Sequence, residues 1–294
     1  MKKIKVAIHS GALHADELLC LALVKLEYPD HKLDYRRSRN QEDWDWADLV
    51  MDVGKKYDGK KFFDHHQDDI PVYENGVKKS ACGLYLESMT KLTEQEKNYL
   101  LERGLYVVQA DDNGQNLKDT KLEHFSNPFS FVPTFNCDWK TGVYGPEQEE
   151  AFAEALTSVV LVVRNLLREA RLEKEAHDQT ERALVNMKNH VVVIGSYCPH
   201  MTQVVEFNAG EPNALVTVFS NSQGQWNVQV VPKETGNFAS WVSIPEEVSE
   251  LPGFVFRHKG AFIAGFTNEY DAIKAAKLTV AGYSENENET ERSA

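Results

Sequence analysis

The chain has 294 residues and carries 45 acidic against 32 basic side chains, a net charge of −13 at neutral pH. A surface that binds nucleic acid over its whole extent neutralises phosphates and is basic, so this charge confines any nucleic-acid contact to a local groove. The length exceeds one small core and fits two domains of ordinary size, and the shares of hydrophobic (42%) and charged (26%) residues are those of a water-soluble globular protein.

No apolar run reaches the roughly 20 residues of a membrane span, so no membrane partner is expected. Cys20, Cys82, Cys137 and Cys198 form no CxxC pair. That argues against a disulfide framework and for a reducing, cytoplasmic setting. A strand begins directly after Met1-Lys2-Lys3, which leaves no room for a cleavable signal or transit peptide.

Ile4 to Ile8 predicts a buried first strand ending at His9. Leu18, Leu19, Leu21, Ala22 and Leu26 recur at helical spacing between Ala15 and Glu27, and Pro29 stops that helix. Lys32–Arg37 reads as a second strand, Ala47–Val53 as a third, and Phe62-Phe63 as a fourth that runs into Asp64. Short links between these elements predict an α/β fold: a mostly parallel sheet with flanking helices. Residues 80 to 104 read as helical with Ser80 as N-cap. Residues 115 to 146 form a loop rich in aromatics (Phe129, Phe131, Phe135, Trp139), and 147 to about 188 one or two long helices.

The first domain is placed at 1–188. A smaller α+β domain follows at 189–283, with a strand at Val191–Ile194, a pair at Leu215–Phe219 and Trp226–Val231 around Asn221-Ser222-Gln223-Gly224, a strand at Phe254–Phe256 and a helix at Glu269–Ala281. The glutamate-rich residues 284–294 read as a disordered acidic tail.

His9, Asp52 and Asp64 each stand where a strand hands over to a loop, and in open α/β sheets the ligand crevice lies outside those carboxyl ends. Around them lie His14, Asp16 and Glu17 in the first strand-to-helix turn, His65 and His66 after Asp64, and Asp111 and Asp112 ahead of Gly114. Carboxylates mixed with imidazoles and no thiolate suit a divalent metal, Mn²⁺ first and Mg²⁺ next, ahead of Zn²⁺, Co²⁺ or Fe²⁺. The ligands suffice for two ions, with Asp52 as a carboxylate able to bridge them. Read singly, each His or Asp is an ordinary turn or strand-end residue. Their convergence on one sheet edge is what carries the metal reading.

The motifs His9-x4-His14-x-Asp16-Glu17, Val50-Met51-Asp52-Val53-Gly54, Phe63-Asp64-His65-His66-Gln67, Ser80-Ala81-Cys82-Gly83-Leu84-Tyr85 and Asp112-Asn113-Gly114 resemble, in order and spacing, those of the MYG1 family. That family is a branch of the DHH phosphoesterase superfamily. Weaker late motifs, Cys198-Pro199-His200, Trp226 to Pro232 and Phe256 to Gly265, extend the resemblance over roughly residues 4 to 280.

The resemblance implies His9, Asp16, Asp52, His65 and Asp112 as metal ligands, with His14 joining them. It implies Asp64 as the residue that orients His65, and His66 as the group facing the substrate phosphate. Arg37 and Arg39 are expected near the substrate, with His258 and Gly265 lining the cleft from the second domain. Gln109 stands where the family commonly has an acid, and Asp111 is the neighbour able to replace it. The implied activity is hydrolysis of a phosphodiester by a two-metal-activated water, as a 3′–5′ exonuclease on RNA or short oligonucleotides. The aromatic loop would stack exposed bases or simply be buried. The rival readings are a small-molecule phosphatase or pyrophosphatase, which the acidic surface favours, and a metal-binding protein without turnover. A homodimer is compatible with any of them.

Overall fold

A computed structural model of the chain describes residues 2–116, 118 and 126–292. Its contacts divide the chain into two compact units, Met1–Arg171 and Leu172–Ala294.

The first unit opens with β1 (Lys3–Ile8), α1 (Ala15–Glu27), β2 (Lys32–Arg37), α2 (Gln41–Trp46), β3 (Leu49–Met51) and β4 (Phe62–Phe63). The four strands pair in the order β2-β1-β3-β4, all parallel. Side chains alternate across the sheet, as the strand period of two requires. Val6, Ile8 and Met51 join the main core with α1, while Ala7 and Val50 face a smaller cluster with Val53, Trp44, Trp46 and Phe62. A sheet covered on both faces reads as continuous apolar runs. Helix α1 is buried without interruption from Asp16 to Val24, so two acids are carried into the interior at its first turn.

Helices α3 (Ala81–Ser88), α4 (Glu94–Leu100) and α5 (Tyr106–Asp112) follow, the last two joined by a wide turn at Leu101–Leu105. The expected continuous helix from 80 to 104 is broken at Met89–Thr93. Thr93 starts the new helix, its hydroxyl accepting from Glu96 N while the Glu96 carboxylate accepts from Thr93 N, a reciprocal cap. The wide turn depends on Gly104 at φ +147, where an added Cβ would stand 2.4 Å from the Pro128 ring.

Helix α6 (Pro146–Val185) spans the stretch expected as helical, and the division between the units falls inside it. The second unit adds β5 (Val191–Ser196), α7 (Met201–Asn208), β6 (Val216–Ser220), β7 (Trp226–Val230), β8 (Phe254–Arg257), β9 (Ile263–Phe266) and α8 (Glu269–Arg292). Its sheet runs β5-β6-β7-β9-β8, parallel only between β5 and β6, with β6 and β7 forming the expected hairpin. Helices α2, α5 and α7 and strand β9 are additions to the elements expected from the pattern. The third strand is shorter than Ala47–Val53 because α2 and a turn take its ends. Backbone helix α8 continues through most of the stretch read as a tail; 293 and 294 lie outside the described residues.

Candidate metal centre

Register explains how the site assembles. Ile8 lies beside Met51 across β1 and β3, and Met51 beside Phe63 across β3 and β4. The residues that follow, His9, Asp52 and Asp64, therefore leave the sheet side by side at its carboxyl edge. Asp52 does so with φ +55, a left-handed conformation that a non-glycine residue holds only under constraint from its surroundings.

The two oxygens of Asp52 serve two imidazoles. Oδ2 lies 3.1 Å from His9 Nε2, and Oδ1 lies 3.3 Å from His65 Nε2. His9 Nε2 also meets Glu17 Oε2 at 2.8 Å, and His65 Nε2 stands 2.9 Å from Asp112 Oδ2. His14 is exposed and more distant, its Nδ1 3.8 Å from Asp112 Oδ1 and its ring 5.4 Å from that of His9. Three ligand groups result at this centre, His9–His14–Glu17, Asp16–Asp52–His65–Asp112 and, sharing Asp52 and His65 with the second, Asp52–Asp64–His65–His66, each with candidate ligand atoms within 4.8 Å of one another. All six expected ligands are thus brought together. Glu17 joins them, although the sequence reading does not count it as a ligand. Its signal is present in the sequence as an acid beside Asp16 in the first turn of a helix that proves buried from Asp16 to Val24.

Asp16 has a second role. Its carboxylate accepts hydrogen bonds from the Ser80 hydroxyl, Ala81 N (3.1 Å) and Cys82 N (3.0 Å), closing the free N–H groups that begin α3. Ser80 therefore reaches across to Asp16 instead of capping its own helix. Gln109 is fully buried, accepting from Ser80 N and the Tyr73 hydroxyl and donating to Leu105 O. It braces α3 at the position where an acid is expected. Asp111 is exposed beside Asp112 and belongs to no ligand group among the described residues.

Asp64 is a hub. Its Oδ1 accepts His65 N (2.7 Å) and His66 Nδ1 (2.6 Å), and its Oδ2 accepts Lys55 N (2.5 Å). The imidazole it orients is that of His66; His65 is oriented by Asn113, whose Oδ1 accepts from His65 Nδ1 at 3.2 Å. Asn113 belongs to the Asp112-Asn113-Gly114 motif, which by itself gives the amide no role.

Burial and mutual repulsion shape the protonation of this cluster. Burial, then the charges of Asp112 and Asp52, push Asp16 up to about 7. Burial opposes charge on His9, yet bonds to Asp52 and Glu17 carry it up to about 10. Burial likewise opposes charge on His65, but Asp112 and Asp52 carry it up to about 11. Four acids (Asp16, Glu17, Asp52, Asp112) crowd one pocket, and Glu17 Oε1 is buried without a hydrogen-bond partner. Orphaned donor atoms among clustered carboxylates are what divalent cations satisfy, and the oxygen and imidazole donors suit hard or borderline ions. The residues present fit the metal reading.

Two clefts adjoin the centre. One, of about 370 Å³, is lined by His14, Asp16, Asp111, Asp112, Phe129 and Ser130 among others. The other, of about 300 Å³, is lined by Arg39, Trp44, Lys55, Asp64 and His66 among others. The two expected arginines separate here. Arg39 is exposed on a cleft. The Arg37 side chain is buried, donating to Gly11 O and Glu149, lying over Phe152 and 4.0 Å from Glu17, so it supports the site from behind.

Within the second unit, the His258 ring packs on Phe262 with Nδ1 accepting from Gly260 N. Gly265 leaves room for the Phe256 ring, 2.4 Å from where its Cβ would be. In the aromatic loop Phe129 is fully buried, whereas Trp139 is 87% exposed.

The MYG1 protein YER156C of Saccharomyces cerevisiae is 28% identical over 327 residues, covering 94% of this chain and 96% of that protein. The MYG1 exonuclease of Homo sapiens is 26% identical, covering 94% of this chain and 86% of that protein. Among solved structures, RecJ in complex with Mn²⁺ from Thermus thermophilus aligns with 96% of this chain at 13% identity and a TM-score of 0.30. This chain spans about half of that one, 52%. No described helix is long and apolar enough to cross a membrane. Residues 5–280 match the model of MYG1_exonuc, described as an uncharacterised protein family (UPF0160), and the chain belongs to that family.

Proposed function

We propose that the chain is a metal-dependent phosphodiesterase, a 3′–5′ exonuclease on RNA or short oligonucleotides. The observation that carries this reading is Asp52, one oxygen toward His9 and the other toward His65, at the junction of the ligand groups. Exonuclease is also the activity in the name of the human relative. Two divalent ions held there, Mn²⁺ by preference, would activate water and neutralise charge on the phosphoryl group.

His9, Glu17 and His14 would hold one ion, and Asp16, His65 and Asp112 the other, with Asp52 between them. His66 is the group for the substrate. Its Nδ1 is held by Asp64, which leaves Nε2 open toward the cleft. The bond to Asp64 raises the His66 pKa and so favours the doubly protonated ring, whose Nε2–H would be offered to a phosphate oxygen or the leaving oxygen. Asp64 itself stays ionised, because bonds from His66 and Lys55 N outweigh the burial that works against its charge and hold it below the usual carboxylate range.

The test offers labelled single-stranded RNA, dinucleotides and pyrophosphate to the protein with Mn²⁺, beside a His65→Ala, His66→Ala double variant. Shortening of RNA from its 3′ end by the wild type alone is expected. Cleavage of pyrophosphate only overturns the exonuclease reading, and equal background from both proteins overturns catalysis altogether.

A further inference from the structure

The turn after β3 is more constrained than a surface loop needs. Asp52, Gly54 and Lys55 all have positive φ, at +55, +101 and +50. Lys55 is the least suited of the three, since a long side chain in the left-handed region costs on the order of 1 kcal/mol where glycine or asparagine costs little. The conformation is clamped by Asp64 Oδ2 on Lys55 N, and the other oxygen of that carboxylate holds His66 Nδ1. One carboxylate thus fixes Lys55 and His66 relative to each other.

The cleft they share is lined further by Arg39, from the loop after β2, and by Trp44 of α2. Neither Lys55 nor Arg39 makes an ion pair among the described residues, in a chain of net charge −13. The Trp44 indole N–H is buried without a hydrogen-bond partner. Two unpaired cations on the cleft that also holds His66, facing the carboxylates of Asp52 and Asp64 across it, point to a receptor for a second anion.

We propose that Lys55, with Arg39 and Trp44, binds a second, non-scissile phosphate of the substrate next to the one being cleaved. The inference rests on the phosphodiesterase reading and narrows its substrate class. The preferred substrates are oligonucleotides or dinucleotides bearing a terminal phosphate, and a diester with no flanking phosphate is turned over poorly. Backbone strain at Lys55 is then the cost of placing an ammonium where glycine would fold more easily.

The experiment compares kcat/KM for three diadenosine substrates with Mn²⁺: ApA, 5′-phosphorylated pApA and 3′-phosphorylated ApAp. The wild type is expected to prefer one of the phosphorylated forms over ApA by roughly tenfold or more, the worth of one charge-assisted hydrogen bond. Lys55→Asn keeps a residue that tolerates positive φ and removes the charge, so its preference should fall toward one, through KM, at an unchanged melting temperature. Lys55→Arg should restore it. Equal kcat/KM of the wild type for all three substrates, or a preference retained in Lys55→Asn, overturns the inference while leaving the phosphodiesterase reading intact. Cleavage of none of the three by the wild type overturns that reading itself.

Discussion

His65 and Asn113, 48 residues apart, meet side chain to side chain, with His65 Nδ1 donating to Asn113 Oδ1 at 3.2 Å. The amide is oriented from its other end, where Nδ2 donates to Gln109 O (2.8 Å) and Lys78 O (3.1 Å). Oδ1 must therefore accept, Nδ1 must carry the proton, and Nε2 is the atom turned toward Asp52 and Asp112. Partners of this kind fix the tautomer of a ligating histidine. Asn113→Ala should weaken Mn²⁺ binding by about 10–100-fold in calorimetric titration, and Asn113→Asp, which keeps an acceptor, should lose far less. Identical affinities for Asn113→Ala and wild type would remove Asn113 from the site.

If His9, Asp16 and His65 hold the metal as proposed, protons and metal compete for the same atoms. Without metal, His9 is held protonated up to about pH 10 and His65 up to about 11, while Asp16 releases its proton only near 7. A divalent ion displaces these protons, so affinity must rise with pH. Near pH 7 about two to three protons should leave in total when both ions are bound. Calorimetry in two buffers of different ionisation enthalpy reads that number. Mn²⁺ binding with no buffer dependence contradicts the assignment of His9 and His65 as ligands.

Gly83 reverses the usual helix rule. Alanine in a helix is ordinarily better than glycine by about 1 kcal/mol. At Gly83 a Cβ would fall 1.7 Å from Gln109 Oε1 and 2.8 Å from the Tyr73 hydroxyl. Gln109 is anchored at both ends and cannot swing aside without breaking buried hydrogen bonds. Gly83→Ala should therefore destabilise by roughly 1–3 kcal/mol in denaturant unfolding. A stabilised variant would show that Gln109 is not the brace described.

The parts of this site that are legible in the sequence share one property: they are set by local position along a strand. His9, Asp52 and Asp64 each follow an apolar run directly, and parallel pairing in register then aligns them without further information. Thr93 and Glu96 are equally legible as a reciprocal cap, and without that signal two helices read as one. The parts that stay hidden depend on non-local partners. Asn113 acts through His65, Asp64 through His66, and Arg37 looks like a free strand-end cation until Gly11, Glu149 and Phe152 close around it. Helix α2 escapes the pattern because six residues are too few for a helical period to stand out.

The aromatic loop separates into a core residue and a surface one. Phe129 is fully buried among Val132, Phe152 and Leu105 of the main core, so Phe129→Ala should cost about 3–5 kcal/mol. Trp139, at 87% exposure, should change stability by no more than about 0.5 kcal/mol when replaced by alanine. If the loop stacks bases, only Trp139→Ala can reveal it cleanly, as a raised KM for single-stranded RNA at unchanged stability. An unchanged KM removes Trp139 from substrate binding.

His200 makes the second unit sensitive to acid. The ring is 2% exposed, with Nδ1 donating to Cys198 O at 2.7 Å and Nε2 facing the Thr217 hydroxyl at 3.2 Å. Burial lowers its pKa from 6.5, the bond to Cys198 O pulling weakly the other way. The folded protein thus takes up this proton less readily than the unfolded chain. Above about pH 7.5 both forms are neutral and His200 contributes no pH dependence. As pH falls through 6.5 the unfolded chain gains the proton first, so stability declines, by at most about 1.4 kcal/mol per pH unit, and levels off once the folded ring is protonated too. His200→Gln removes this titration and should flatten the corresponding part of the curve. Denaturant unfolding from pH 8 to pH 5 reads the difference between the two proteins, which should shrink or change sign on acidification. A difference that widens in favour of the wild type as pH falls would mean the ring is stabilised in its charged form, opposite to what its burial requires.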